Sequence, residues 1–152
     1  IYYQEASVIL KQAADKEFAP TFFGCDGMDG ILTVENFDKS LAEGLMLLTP
    51  FSTTEEGSEE FTKSYTDAYG VEPIQFAADS YDAVYAIKAA AEKAGITADM
   101  SVSDMCDAME TAMTEITIQG LTGADMSWNA NGEPNKAPKA AKIVDGIYEM
   151  EK

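Results

Sequence analysis

An open-sheet α/β fold is predicted by three features of the sequence. A helical period over Gln4–Glu17 gives way at Ala19-Pro20 to an aromatic stretch, Thr21–Phe23, which is the succession found in half of a βαβ unit. Gly44-Leu-Met-Leu-Leu-Thr49 is too short for a buried helix and fits a central strand covered on both faces. Near the end, Met126-Ser-Trp128, Ala140–Val144 and Ile147–Met150 are short runs separated by Asn129-Ala-Asn-Gly132 and Asp145-Gly146, the punctuation of a β-ribbon.

The elements follow in order. In the first helix Ala6, Ile9, Leu10, Ala13 and Ala14 make one apolar face. Thr21, Phe22 and Phe23 read as a short buried strand that Gly24 ends, and Asp26, Gly27, Asp29 and Gly30 follow as turn residues. Thr33–Leu41 fits a short helix with Thr33 as its cap. After the central strand, Pro50–Glu55 leaves the sheet. Three helices come next: Ser58–Tyr69 stopping at Gly70, Ser80–Ala94 stopping at Gly95, and Ser101–Met113 with a capping-box start at Ser101 and Asp104. Segments 1–49 and 120–152 thus carry the strands, with helices between them. That alternation suits two lobes joined by several crossovers better than one continuous domain.

The totals limit the chemistry. The chain has 152 residues, enough for one ordinary core or parts of two. A net charge of −17 repels nucleic acid and anionic membranes, and draws cations or the ammonium end of a zwitterion. With no histidine, a His-based triad, a His general base and His-ligated zinc are excluded. Cys25 and Cys106 are too few and too far apart for a metal knuckle, and their count leaves free thiols and a single disulfide both open. No cofactor is expected. No apolar run approaches a membrane span. The opening Ile1-Tyr2-Tyr3, without an initiator Met and with an amphipathic pattern already under way, reads as a cut in a longer protein.

The stretch Pro20–Gly30 holds the densest chemistry. A strand feeding a glycine-rich acidic loop is the usual build of a site at the carboxyl edge of an open sheet. Such a loop can hold a carboxylate still for an amine-bearing ligand, and it is equally a solvated turn with two acidic residues; local pattern does not decide. Asp29 reads as a turn former or solvated neighbour, Asp79 as an outward helix cap, and Trp128 as core. Cys25 has no histidine to activate it as a nucleophile. Asp26–Asp29 and Asn129–Gly132 lack the spacing and the terminal Glu of a calcium loop. Gly24, Gly27 and Gly30 do not make a dinucleotide fingerprint.

The chain resembles the C-terminal part of a type I extracytoplasmic solute-binding protein, in the leucine/isoleucine/valine-binding branch that serves ABC transporters. The residues that carry the resemblance are Tyr2-Tyr3-Gln-Glu-Ala with Gln12-Ala13, Phe22-Phe-Gly-Cys-Asp-Gly27 and Ala42-Glu-Gly44. Further along come Phe61 to Tyr69-Gly70 with Pro73, Ser80-Tyr-Asp-Ala-Val84, Gly120-Leu-Thr-Gly123 to Asn131-Gly132, and Val144-Asp-Gly-Ile147. The resemblance implies three-layer open-sheet lobes, incomplete here, with a C-terminal β-ribbon. Residues 1–49 would then belong to the C-terminal lobe, 50–119 to the N-terminal lobe, and 120–152 to the crossover and returning ribbon.

It also implies a function: capture of a branched-chain or similar amino acid between two lobes, outside the cytoplasm, for a membrane permease, with no bond made or broken. Asp26 stands where that family places the acid that holds the α-ammonium group. Tyr2 stands where a tyrosine lines the cleft, and Tyr81 where another aromatic closes over the ligand. Without such roles, Tyr2 packs a helix face and Tyr81 a helix–helix contact. The family's donors to the ligand carboxylate, and any lipid anchor, would lie upstream of Ile1, so the chain by itself is expected to bind leucine-like ligands feebly. Unpaired edge strands near Tyr2 would seek a second copy, giving a strand-paired or swapped dimer. Two other classes compete: the ligand-sensing ectodomain of a receptor with the same fold, and a hydrolase built on Asp26 and Asp29. The second needs carboxylates on opposite walls of a cleft, which one short loop does not provide.

Overall fold

The computed structural model describes residues 1–151. The chain divides into two compact units, Ile1–Gln75 with Pro138–Lys152, and Phe76–Ala137. This partition differs from 1–49, 50–119 and 120–152, because residues 50–75 cluster with the first strands.

In the first unit, helix α1 (Tyr3–Asp15) buries Ala6, Ser7, Leu10 and Ala13. These recur at helical spacing, while Ile9 and Ala14, expected on the same face, are exposed. Strand β1 (Phe23–Gly24) pairs in parallel with β2 (Met46–Leu48). Strand β3 (Ala140–Val144) runs antiparallel to β2, and β4 (Ile147–Met150) antiparallel to β3. The sheet order is β1-β2-β3-β4, so β2 is interior, as its apolar run predicts. The β3–β4 hairpin turns on Asp145 and Gly146, both at positive φ (50° and 75°), the geometry of the tight turn that matches strand twist.

Two expectations are corrected in this unit. The strand lies at Phe23–Gly24 rather than Thr21–Phe23, and Thr21 and Phe23 are exposed. Only Phe22 of that trio packs on the core, since alternate side chains of an edge strand face away from it. Thr33–Leu41 is not a helix. It holds parts of two 3₁₀ turns, Ile31–Thr33 and Lys39–Ala42, separated by Asn36 at φ 59°, which interrupts a right-handed helix. Thr33 donates its hydroxyl to the Gly30 carbonyl at 2.7 Å, and Asp38 is the cap, accepting from Ser40 N at 3.0 Å. The core joins α1 to the sheet through Ile31, Leu45, Leu47 and Ile143, each at most 2% exposed. Helix α2 (Glu59–Tyr69) ends at Gly70 (φ 73°), as predicted.

Helix α3 (Gln75–Ala94) begins at Gln75 instead of Ser80. Its first residue belongs to the first unit and the remainder to the second. Helix α4 (Val102–Met113) has the predicted cap: Ser101 Oγ accepts from Asp104 N at 3.1 Å and donates to Asp104 Oδ2 at 2.7 Å. The second core is Ala86 and Ala90 of α3, Ala112 of α4, and Ile116, Ile118 and Met126, with Trp128 packed against it. Around Met126–Trp128 the backbone forms isolated bridges, Ile118 with Met126 and Trp128 with Pro134, rather than a continuous strand. Among the described residues no helix is long and apolar enough to cross a membrane.

Candidate functional site

The acidic loop sits where the sequence places it, directly after β1. Its form follows from close packing. A Cβ on Gly24 would fall 2.2 Å from Met28 Sδ, and one on Gly27 would fall 2.4 Å from the Ile1 carbonyl oxygen. At Gly27 the obstacle is backbone, so a side chain is excluded there, whereas at Gly24 the Met28 side chain would have to shift. Met28 tucks under the strand end and the chain start crosses over Gly27. A 3₁₀ turn, Asp26–Met28, results, with Met28 N donating to Cys25 O and Asp29 N to Asp26 O, each at 3.0 Å.

This turn sends its two carboxylates to opposite environments. Asp26, its first residue, is exposed. Tyr2, the residue before α1, brings its ring to 3.6 Å from where a Gly27 Cβ would stand, so the first tyrosine of the expected site neighbours the Asp26 turn. Tyr81 lies in the second unit, within α3 rather than at its start, 43% exposed, with its ring 4.8 Å from that of Tyr85.

Asp29 is 3% exposed, which corrects its reading as a solvated turn residue. Its Oδ2 accepts from Gln75 N at 2.9 Å and from Thr49 Oγ1 at 3.1 Å. Burial raises its pKa above the usual carboxylate value, and hydrogen bonds from Gln75, Thr49, Gly30 and Tyr148 offset part of that rise. Tyr148, on β4, is pushed far above the ordinary phenol range by burial and then by the charge of Asp29, so it stays neutral. Its hydroxyl accepts from Gly30 N at 3.2 Å. Tyr148→Phe is expected to cost about 1–2 kcal/mol by leaving that N–H with a poorer partner, read as a shifted urea midpoint.

Gln75 completes the cluster. It is 1% exposed, and its side-chain Nε2 donates to the Asp26 carbonyl. Neither Gln75 nor Tyr148 was singled out by sequence pattern. Tyr148 follows the inward alternation of a strand, but no local signal marks Gln75. A cavity of about 580 Å³ opens beside Asp29, with Leu32, Phe51, Ser52, Ile74 and Tyr148 in its walls, and Asp26 lies outside that lining. Asp79, expected to cap a helix, is inside α3 and meets Lys136 Nζ at 3.0 Å. Cys25 and Cys106 are both free and exposed.

This strand-edge loop sits in a recognisable frame. The family described as the receptor family ligand-binding region matches residues 1–137. The chain belongs to that family. Among solved structures of the same fold, a leucine-binding protein from Thermotoga maritima is similar at 24% identity and a TM-score of 0.77, covering 99% of this chain and 42% of its own. A branched-chain amino acid transporter substrate-binding protein from Streptococcus pneumoniae, solved in complex with isoleucine, is 26% identical with a TM-score of 0.77, covering 98% of this chain and 41% of its own. A solute-binding protein from R. palustris in complex with benzoate is 18% identical with a TM-score of 0.75, covering 95% and 39%. No curated protein matches the sequence. The chain presents part of the type I periplasmic binding protein fold and spans about two fifths of the length of these structures.

Proposed function

We propose that this chain is part of an extracytoplasmic solute-binding subunit of an ABC transporter, one that captures a branched-chain or similar amino acid and passes it to a membrane permease without chemistry. Asp26 holds the ligand ammonium group, Tyr2 lines the ligand from the same lobe, and Tyr81 closes over it. The division into two compact units supports a C-terminal lobe made of the first unit, residues 50–75 included, and an N-terminal lobe that takes the second, in place of the bounds 1–49, 50–119 and 120–152. The observation that carries the reading is an exposed carboxylate on a turn fixed by close backbone packing, with a tyrosine ring beside it. Burying an ammonium group in a closed cleft requires a fixed partner of this kind.

The test is calorimetry with leucine, isoleucine and valine on the longer protein to which this chain is proposed to belong. Asp26→Asn keeps the shape and removes the charge, and it is expected to weaken binding by about 1.5–3 kcal/mol. Unchanged affinity sinks the assignment. The 152-residue chain alone is expected to bind only feebly. Strand β1 is a sheet edge, and a second copy pairing along it gives a dimer, visible as a doubled mass in light scattering; a monomer at high concentration rejects it. A receptor ectodomain with the same site is the second reading, favoured by the family's description as a receptor ligand-binding region.

A further inference from the structure

Gln75 is tied to the acidic loop twice, as the donor both times. The main-chain N–H of Gln75 donates to the carboxylate of Asp29 at 2.9 Å, and the Gln75 side-chain amide donates to the main-chain carbonyl of Asp26. One residue thus reaches two positions of the loop, its backbone meeting a side chain and its side chain meeting a backbone, across distant parts of the chain. Because Gln75 opens α3, its N–H has no partner within the helix, and Asp29 supplies one. The Asp26 carbonyl receives two donors, Asp29 N at 3.0 Å and Gln75 Nε2. Two donors on one carbonyl fix the plane of the Asp26–Gly27 peptide. The direction of the Asp26 Cα–Cβ bond follows from that backbone, although nothing need touch the carboxylate itself.

We propose that Gln75 is a positioning residue for Asp26: through the Asp26 carbonyl it fixes the Cα–Cβ bond from which the exposed carboxylate is presented to its ligand, and Asp29 holds Gln75. The ligand role of Asp26 is the reading given above, on which this inference rests. The geometry of the loop does not depend on that reading. A carboxylate presented from a pinned backbone loses little freedom when an ammonium group arrives, which is the benefit of preorganisation.

The test is amide hydrogen exchange by NMR on this chain without ligand, so a failure here is separable from a failure of the amino-acid reading. Gln75→Met keeps length and removes the donor. It is expected to speed exchange at the Met28 and Asp29 amides about tenfold, roughly the loss of one hydrogen bond of ordinary net strength. The Gly44 and Ile143 amides, which bond between β3 and the residues just before β2 in the same unit, are expected to keep their rates. Equal acceleration at all four sites marks a merely structural residue and overturns the proposal, as does no change in the loop.

The unsubstituted chain provides a reading that needs no variant to fold. There a scalar coupling across the hydrogen bond from Gln75 Nε2 to the Asp26 carbonyl carbon is expected, and the Gln75 side-chain amide and the Met28 and Asp29 amides are expected to share one opening free energy. Absence of the coupling, or independent openings, overturns the proposal. In the longer protein, Gln75→Met is expected to weaken isoleucine binding several-fold while Asp26→Asn weakens it further. Weakening by Asp26→Asn alone leaves the ligand reading intact and overturns the positioning role.

Discussion

Asp82→Ala is expected to destabilise the second unit by about 3–5 kcal/mol, the upper part of the range for point substitutions. Asp82 is 5% exposed on α3, and its two oxygens serve three donors. Oδ1 accepts from Leu121 N at 2.9 Å, while Oδ2 accepts from Thr122 N at 2.8 Å and Thr122 Oγ1 at 2.7 Å. The Gly120–Thr122 loop lies directly over the carboxylate, since a Cβ on Gly120 would come within 2.6 Å of Oδ2. Alanine removes every acceptor at once and strands the Thr122 N–H and hydroxyl in a buried place and the Leu121 N–H in a half-buried one. Those groups cannot regain water without opening the loop, and this separates Asp82 from an exposed pair such as Lys88–Glu92, whose loss is expected to be small. Asp82→Asn keeps one acceptor and is expected to cost about half as much. Trp128 is the chain's single tryptophan and packs on the second core, so its fluorescence in a urea titration reports this unit selectively. A shift below about 1 kcal/mol means that the loop relaxes to water, and the anchoring account of Asp82 is then wrong.

The difference between what local pattern revealed and what it concealed has a consistent physical cause. The α4 cap was legible because Ser101 and Asp104 are three residues apart and satisfy each other without help. The Asp145-Gly146 turn was legible for the same reason: both residues tolerate positive φ. The start of α3 was not. Asp79 and Ser80 are favoured cap types and drew the predicted start to Ser80, yet the Ser80 hydroxyl donates back to Phe76 O at 2.7 Å within the helix. The real start, Gln75, is capped by Asp29 from far upstream, and no window of sequence contains both partners.

The same separation hid the burial of Asp29. Within its own loop it is one of two acids among glycines, and only Thr49, Gln75 and Tyr148 make it the inward one. Asp26 was placed correctly on a loop after a strand, because strand, glycine and turn are adjacent in the chain. The ligand role proposed for Asp26 rests on the resemblance; the fold sets the Tyr2 ring beside the turn and ties Gln75 to the Asp26 carbonyl.

Asp29 provides the second large effect, and the two substitutions probe different parts of it. Asp29→Ala is expected to cost about 2–4 kcal/mol, because Gln75 N and Thr49 Oγ1 lose their acceptor in a buried place. Asp29→Asn retains an acceptor oxygen and removes the charge, so it probes the charge alone. Burial raises the folded pKa of Asp29 above the unfolded value near 3.8. The folded state therefore holds this proton more tightly than the unfolded chain does. The resulting stabilisation is complete below the unfolded pKa and is lost as pH rises through the folded one. The stability of the unsubstituted chain minus that of Asp29→Asn is accordingly expected to fall as pH rises from about 3.5 towards neutrality, and to level off once Asp29 is ionised. Taking the difference cancels the exposed carboxylates, including Asp38 and Asp99, whose hydroxyl partners lower their pKa values and give the opposite slope. Amide exchange at Leu45 and Ile143, in the core beside the cluster, is the measurement that follows this unit. A difference that rises with pH would mean that the hydrogen bonds to Asp29 outweigh its burial. The carboxylate would then be a net anchor for α3 rather than a charge held inside at a cost.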